Sequence, residues 1–351
     1  MMLVDFVRSA FGALDKHIIQ TILLRSWNII AGGITLILIP FTLRPDVAGY
    51  YFTFGSLLLI QVFFELGLSS VIVVRSAQFL SGGTSDAGLA GPDYSRVSGM
   101  ARFLQGYYLA MALLFLAIAL GSGWFFFGRA PSSSTVDWAV PWVLTATFTA
   151  CNLYLSFMLA LEEGAGAVAA VARLRRMQSI VGHVGFWATL LLHQSLYAAI
   201  WIPMVSCVMT SFHVLRKDSV FRRALVQATA STAAFSWLKE IFPLQWKVAL
   251  SWSAGYLIFQ LYTPFVFKKF GAAEAGKVGL SLAVFNAVLT LSQSVVSASA
   301  PRYVSMVTRR EFAHLNHLFV RHAAISFFCV CLAVLGLMLA HVVTGLYFPF
   351  F

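Results

Sequence analysis

Glu65 demands an explanation first. It lies in an otherwise uncharged stretch, 47–74, nine residues before Val74. At 1.5 Å rise per residue that is about 13 Å from the end of a helix. An unpaired carboxylate in hydrocarbon costs about 2.5–3.5 kcal/mol on insertion scales. It must therefore be protonated, paired or turned to water. One reading is a proton or cation switch. The other is a structural contact with Arg or Asn that locks two helices together, with Arg25 at the edge of the preceding apolar stretch as the expected partner. Asn28, Asn152, Asn286, Gln61, Gln260 and Gln293 also fall in apolar stretches. Such amides join helices by hydrogen bonds or line a polar cavity; Asn28 and Asn286 are the cavity candidates. His183 is a packing residue or a proton relay.

The elements that position these groups follow from composition. The chain has 351 residues, of which 60% are hydrophobic and only 11% charged. Its mean hydropathy is +0.83. A soluble domain carries about 25% charged residues, whereas a bilayer core does not solvate ions. Crossing that core takes about 20 apolar residues. Uncharged stretches at 26–43, 103–128, 138–161, 248–267, 278–300 and 322–351 each suit one helix, as does 47–74 apart from Glu65. The stretch 177–215 is too long for one, and His193, Gln194 and Ser195 divide it. Nine transmembrane helices are expected. Residues 1–17 carry Asp5, Arg8, Asp15 and Lys16 and lack the short apolar run of a cleaved signal, so the first helix is expected to be retained.

Loop charge sets the orientation. With the N-terminus in the cytoplasm, the inside holds 19 of the 24 Lys and Arg residues. The outside holds the other five: Arg44, Arg129, Lys268, Lys269 and Lys277. This is a strong positive-inside bias. It also accounts for the net charge of +11 through anionic lipid headgroups rather than nucleic acid. The Gly/Ser stretch SGGTSDAGLAGPDYSR lacks the Gly-Lys-Ser/Thr of a phosphate loop. Cys151, Cys207, Cys329 and Cys331 all fall within spans, which supports neither a disulfide framework nor a metal site. An enzyme acting at the outer face would need acids or bases converging on one point. The outside loops offer only Asp46 and Asp137, so no catalytic residue and no cofactor is expected.

The inside linker 216–242 starts RKDSVFRR and ends AFSWLKEIF, where Trp237, Ile241 and Phe242 share one helix face. That pattern suits an in-plane interfacial helix. The linker separates six helices (1–215) from three (243–351), and the two sides are related. Ala48-Gly49 matches Ala275-Gly276, and Arg75 matches Arg302, all at an offset of 227. Pro40 answers Pro264 at 224, and Trp27 answers Trp252 at 225. Six helices separate the copies, so both have the same orientation, as in two-lobed transporters with parallel repeats. The expected fold is all-α: a polytopic transmembrane bundle of about nine helices in two lobes, the second incomplete.

The run LLRSWNIIAGGITLILIPFTLRPDVAGYYFTFGSLLLIQVFFELGLSSVIV resembles the first two helices of polysaccharide-export flippases of the multidrug/oligosaccharidyl-lipid/polysaccharide superfamily. FPLQWKVALSWSAGYLIFQLYTPFVF, SLAVFNAV and SASAPRYVSMVTRREFAHL resemble the start of the second lobe in polysaccharide and lipopolysaccharide biosynthesis proteins. The resemblance implies a flippase of the bacterial cytoplasmic membrane. Its cargo would be a polyprenyl-diphosphate-linked oligosaccharide carried to the outer face for surface polysaccharides such as O-antigen. A polymerase and glycosyltransferases would be its neighbours. Family members have two six-helix bundles around a cavity that opens alternately to each side. This chain departs from them in lacking helices ten to twelve, which keeps a non-transporting assembly subunit in view. A multidrug and cation antiporter is the other alternative.

A diphosphate headgroup calls for cations, and Arg offers bidentate geometry. Arg25, Arg75, Lys247 and Arg302 lie at the inner ends of helices one, two, seven and eight and could ring the cytoplasmic mouth. Alternatively, they anchor the helices by snorkelling to lipid headgroups.

Overall fold

The computed structural model describes residues 16–65, 67–80, 84–85, 88–89, 94–128, 136–192, 195–215, 246, 250, 253–256, 260–308 and 311–347. The protein is an all-α helix bundle. Its helices are α1 (Lys16–Thr42), α2 (Pro45–Leu58), α3 (Leu68–Leu80), α4 (Tyr94–Phe127), α5 (Ala139–Glu162), α6 (Val168–Leu191), α7 (Trp201–Leu215), α8 (Tyr262–Phe270), α9 (Ala272–Thr308) and α10 (Phe312–Tyr347). Two-residue strands Thr84–Ser85 and Gly88–Leu89 pair between α3 and α4. Linker residues 216–242 and Lys247 lie outside the described residues.

Among the described residues, seven continuous stretches are long and apolar enough to cross a membrane. One of them, Ala139–Leu191, has 53 residues. At 1.5 Å per residue it would measure about 80 Å if straight, well beyond one crossing. It is two helices, α5 and α6, meeting at a π-type turn, Glu163–Ala167, where Gly166 has φ 89°. A side chain at that φ costs about 1–2 kcal/mol, so glycine places the bend.

Several boundaries differ from the sequence expectation, with α4 and α10 starting earlier, at Tyr94 and Phe312, and three other differences shaping the fold. The stretch after Leu161 is helical again from Val168, so Arg173, Arg175 and Arg176 ride on the first turns of α6 instead of a loop. α9 begins at Ala272, six residues before the uncharged run that predicts it, because Glu274 and Lys277 pair at 2.8 Å along the helix surface. The second span is broken: α2 gives way to a 3₁₀ turn at Leu59–Gln61, a single turn at Val62–Glu65, and then Gly67 at φ 68° before α3.

By packing, the chain divides into Met1–Gly279 and Leu280–Phe351. In the first unit, α5 and α6 splay from their bend, and α7 packs against both. Asn152 on α5 donates to the Pro203 carbonyl at 2.8 Å, and Gln178 on α6 donates to Thr210 Oγ1 at 2.8 Å. α1 lies along α6, where Ser179 Oγ donates to Asn28 Oδ1 at 2.6 Å and Trp187 Nε1 donates to Thr35 Oγ1 at 2.9 Å. Tyr50, Phe54, Phe127, Trp142 and Phe267 form an aromatic cluster with ring centroids 4.8–5.5 Å apart, joining α2, α4, α5 and α8.

α2 starts cleanly because Pro45 follows an extended Arg44 and Asp46 sits in the first turn. Its Gly49 meets the start of α9: a Cβ there would collide with the Ala272 carbonyl oxygen, and one on Gly276 would collide with the Pro45 carbonyl oxygen. Small residues let the two backbones touch, the packing mode membrane helices use where lipid supplies no hydrophobic drive. In the second unit, Ser292 and Ser326 donate to each other's carbonyls at 3.3 and 3.0 Å, tying α9 to α10. Phe41 (83% exposed), Trp124 (74%) and Phe327 (71%) illustrate an outer surface suited to acyl chains.

Candidate functional site

Glu65 closes the short turn before the break in the second span, and its side chain is half-buried. The hydroxyl of Ser69, one turn on, donates to its carboxylate. Ser70 Oγ donates to the Gly67 carbonyl at 2.7 Å, and Tyr107 OH on α4 reaches the Phe64 carbonyl at 3.5 Å. The Gly67 carbonyl also accepts the Ser70 amide at 3.2 Å, so side-chain hydroxyls supplement backbone bonding at the break, as irregular backbone at membrane depth requires. The expected Glu65–Arg25 pair is absent: among the described residues no ion pair joins them, Arg25 is exposed, and Ser69 holds the carboxylate. The reason is local: Ser69 stands four residues on, at the spacing that brings helix side chains together.

The cation candidates fall in different settings. Arg25 projects from α1 one turn before Asn28. Arg75 is half-buried on α3 and donates to Gln78 Oε1 at 3.1 Å. Arg302 belongs to the α9 helix. Asn28 is engaged by Ser179, while Asn286 is half-buried on α9, where its carbonyl accepts from Thr290 Oγ1 at 2.7 Å. His183 Nδ1 lies 2.7 Å from the Ser179 carbonyl, and its ring packs 5.8 Å from that of Trp187. The α1–α6 seam therefore carries a polar ladder, Asn28–Ser179–His183, with Thr35–Trp187 further along.

A second buried acid escapes the sequence reading. Glu162 falls one residue past the stretch 138–161, but α5 runs through it and only 3% of it is exposed. His213, on the last turn of α7, places Nε2 2.6 Å from Glu162 Oε2. Oε1 is buried and has no hydrogen-bond partner among the described residues. The next residue, Glu163, pairs with Arg175 of α6 at 2.9 Å on a more exposed face. The sequence signal is faint: two adjacent acids at a span edge, and a histidine 51 residues on. Only the splay of α5 from α6, with α7 between them, brings Glu162 and His213 together.

These features define a multi-pass membrane protein with broken and bent helices, one of them interrupted beside Glu65. No family model matches the chain, and no curated protein or solved structure does.

Proposed function

We propose that the protein is a membrane transporter that flips a polyprenyl-diphosphate-linked oligosaccharide from the cytoplasmic to the outer face of the membrane by alternating access. The observation that carries the transport reading is the interruption of the second span at Glu65–Gly67. Discontinuous helices with a polar group at the break are how many transporters build their sites. The anionic cargo is supported by the sequence resemblance and by the cations at the inner helix ends, Arg25, Arg75, Lys247 and Arg302. In this reading they hold the diphosphate before it crosses, and Glu65 couples a proton or cation to the movement. The inner membrane of a bacterium, with the N-terminus in the cytoplasm, is the matching location.

Glu65 also favours a second reading, a multidrug and cation antiporter of the same superfamily, because an intramembrane carboxylate suits a cationic cargo. A deletion strain separates the two. Lipid-linked oligosaccharide accumulating on the cytoplasmic face supports the flippase. Unchanged lipid-linked sugar together with greater sensitivity to cationic drugs supports the antiporter and overturns the flippase.

A further inference from the structure

The Glu162–His213 corner has a charge problem that its own geometry exposes. When a neutral imidazole donates from Nε2, the carboxylate keeps a full negative charge, and Oε1 is buried without a donor. A buried carboxylate oxygen left without a donor is destabilising. One more proton, taken from solvent onto the imidazole or held on the carboxyl, makes the pair neutral overall and preserves the 2.6 Å contact.

We propose that Glu162 and His213 form a proton-binding site that seats the inner end of α7 in the V between α5 and α6. Among the described residues, the hydrogen bonds Asn152–Pro203, Gln178–Ser206 and Gln178–Thr210 across this V are neutral amide and hydroxyl contacts. The Glu–His tie is therefore the one whose strength changes with proton occupancy. Its position amplifies the effect. Glu162 is the last residue of α5, directly before the π-type turn with Gly166. Such turns recur at functional sites.

The charged groups on elements packed around this corner are Arg75 on α3, Arg96 and Arg102 on α4, Glu163 in the turn, and Arg173, Arg175 and Arg176 on α6. Arg175 is engaged with Glu163. The site uses neither Glu65 nor any residue assigned to the cargo, so it stands whatever the cargo is.

The test uses full-length protein in lipid nanodiscs. Thermal midpoints are followed by tryptophan fluorescence from about pH 5 to 8, the range over which histidine changes charge. Wild type, E162Q, H213Q and the double variant are compared. The wild type is expected to show a pH-dependent component that each single substitution abolishes, with the double variant no worse than the weaker single. A single variant that keeps the wild-type pH dependence, or two substitutions with additive effects, overturns the proposal. If the substitutions prevent folding, hydrogen exchange of wild-type segment 201–215, corrected for intrinsic pH effects, carries the test. Protection that changes with pH supports the site, and protection that stays constant overturns it. Neither measurement involves transport, so failure here leaves the flippase reading untouched.

Discussion

Gly49 and Gly276, which correspond at an offset of 227 residues, lie against each other where α2 crosses the start of α9. Equivalent residues of two similarly oriented copies meet only near the axis that relates them. The crossing is thus what a parallel repeat with its axis along the membrane normal would produce.

Gly49→Ala tests that crossing. The added methyl collides with backbone, not with the end of a flexible side chain. Overpacking of this kind costs about 1–3 kcal/mol, so the thermal midpoint in detergent should fall clearly. Gly32→Ala on α1, where a Cβ meets nothing within 4 Å, should be close to neutral. Equal midpoints for the two variants would remove the crossing as a structural contact.

The bend between α5 and α6 gives a second expectation. Gly166→Ala places a side chain at φ 89° and should cost about 1–2 kcal/mol, although a Cβ has open space there. Strain and crowding are separable here, because Gly166→Asn should recover part of the loss. Stability unchanged in the alanine variant would mean that the turn takes another conformation.

The ties that hold α7 are predicted to be modest. Asn152→Ala and Gln178→Ala should each lose about 0.6 kcal/mol, the average for interhelical hydrogen bonds in membrane proteins. They sit on different helices and share no partner, so their effects should add. Strong non-additivity in unfolding measurements would show that α5, α6 and α7 do not pack independently at these points.

At the broken span, Glu65→Gln keeps shape and removes charge, and Ser69→Ala removes the donor to it. In the switch reading, Glu65→Gln flattens the pH dependence of transport, and Ser69→Ala changes it without abolishing flux. Normal transport across pH in Glu65→Gln would leave the carboxylate a structural role only.

Orientation is checked by single cysteines in a background lacking the four native ones. A cysteine at Ser132 should react with an impermeant reagent from outside, and one at Ser85 should react only after the membrane is opened. The reverse pattern would invert every assignment of an inner or outer helix end.

The membrane class was legible because charge exclusion acts on whole stretches of chain: span 138–161 reappears as α5 nearly unchanged, and span 103–128 lies within α4, which starts nine residues earlier at Tyr94. The break at Gly67 was not legible, because hydropathy cannot distinguish a straight apolar helix from one interrupted by a single glycine. The start of α6 was missed for the opposite reason. Arg173, Arg175 and Arg176 mark a loop only if charged residues cannot ride on the first turns of a helix, and long cationic side chains can. The partner of Glu65 is Ser69, four residues on, a spacing that is open to any helix and that an uncharged hydroxyl does not advertise. Glu162 and His213 are 51 residues apart, and nothing local to either names the other.

The separation of that pair has a consequence for biosynthesis. Glu162 emerges from the ribosome at the end of α5, and at about 5–20 residues per second its partner follows roughly 3–10 s later. For the first 29 residues of that interval α6 is still emerging, and until His213 follows the carboxylate has no imidazole. Nascent chain stalled before His213 should therefore hold α5 and α6 poorly and be the species that membrane proteases capture first.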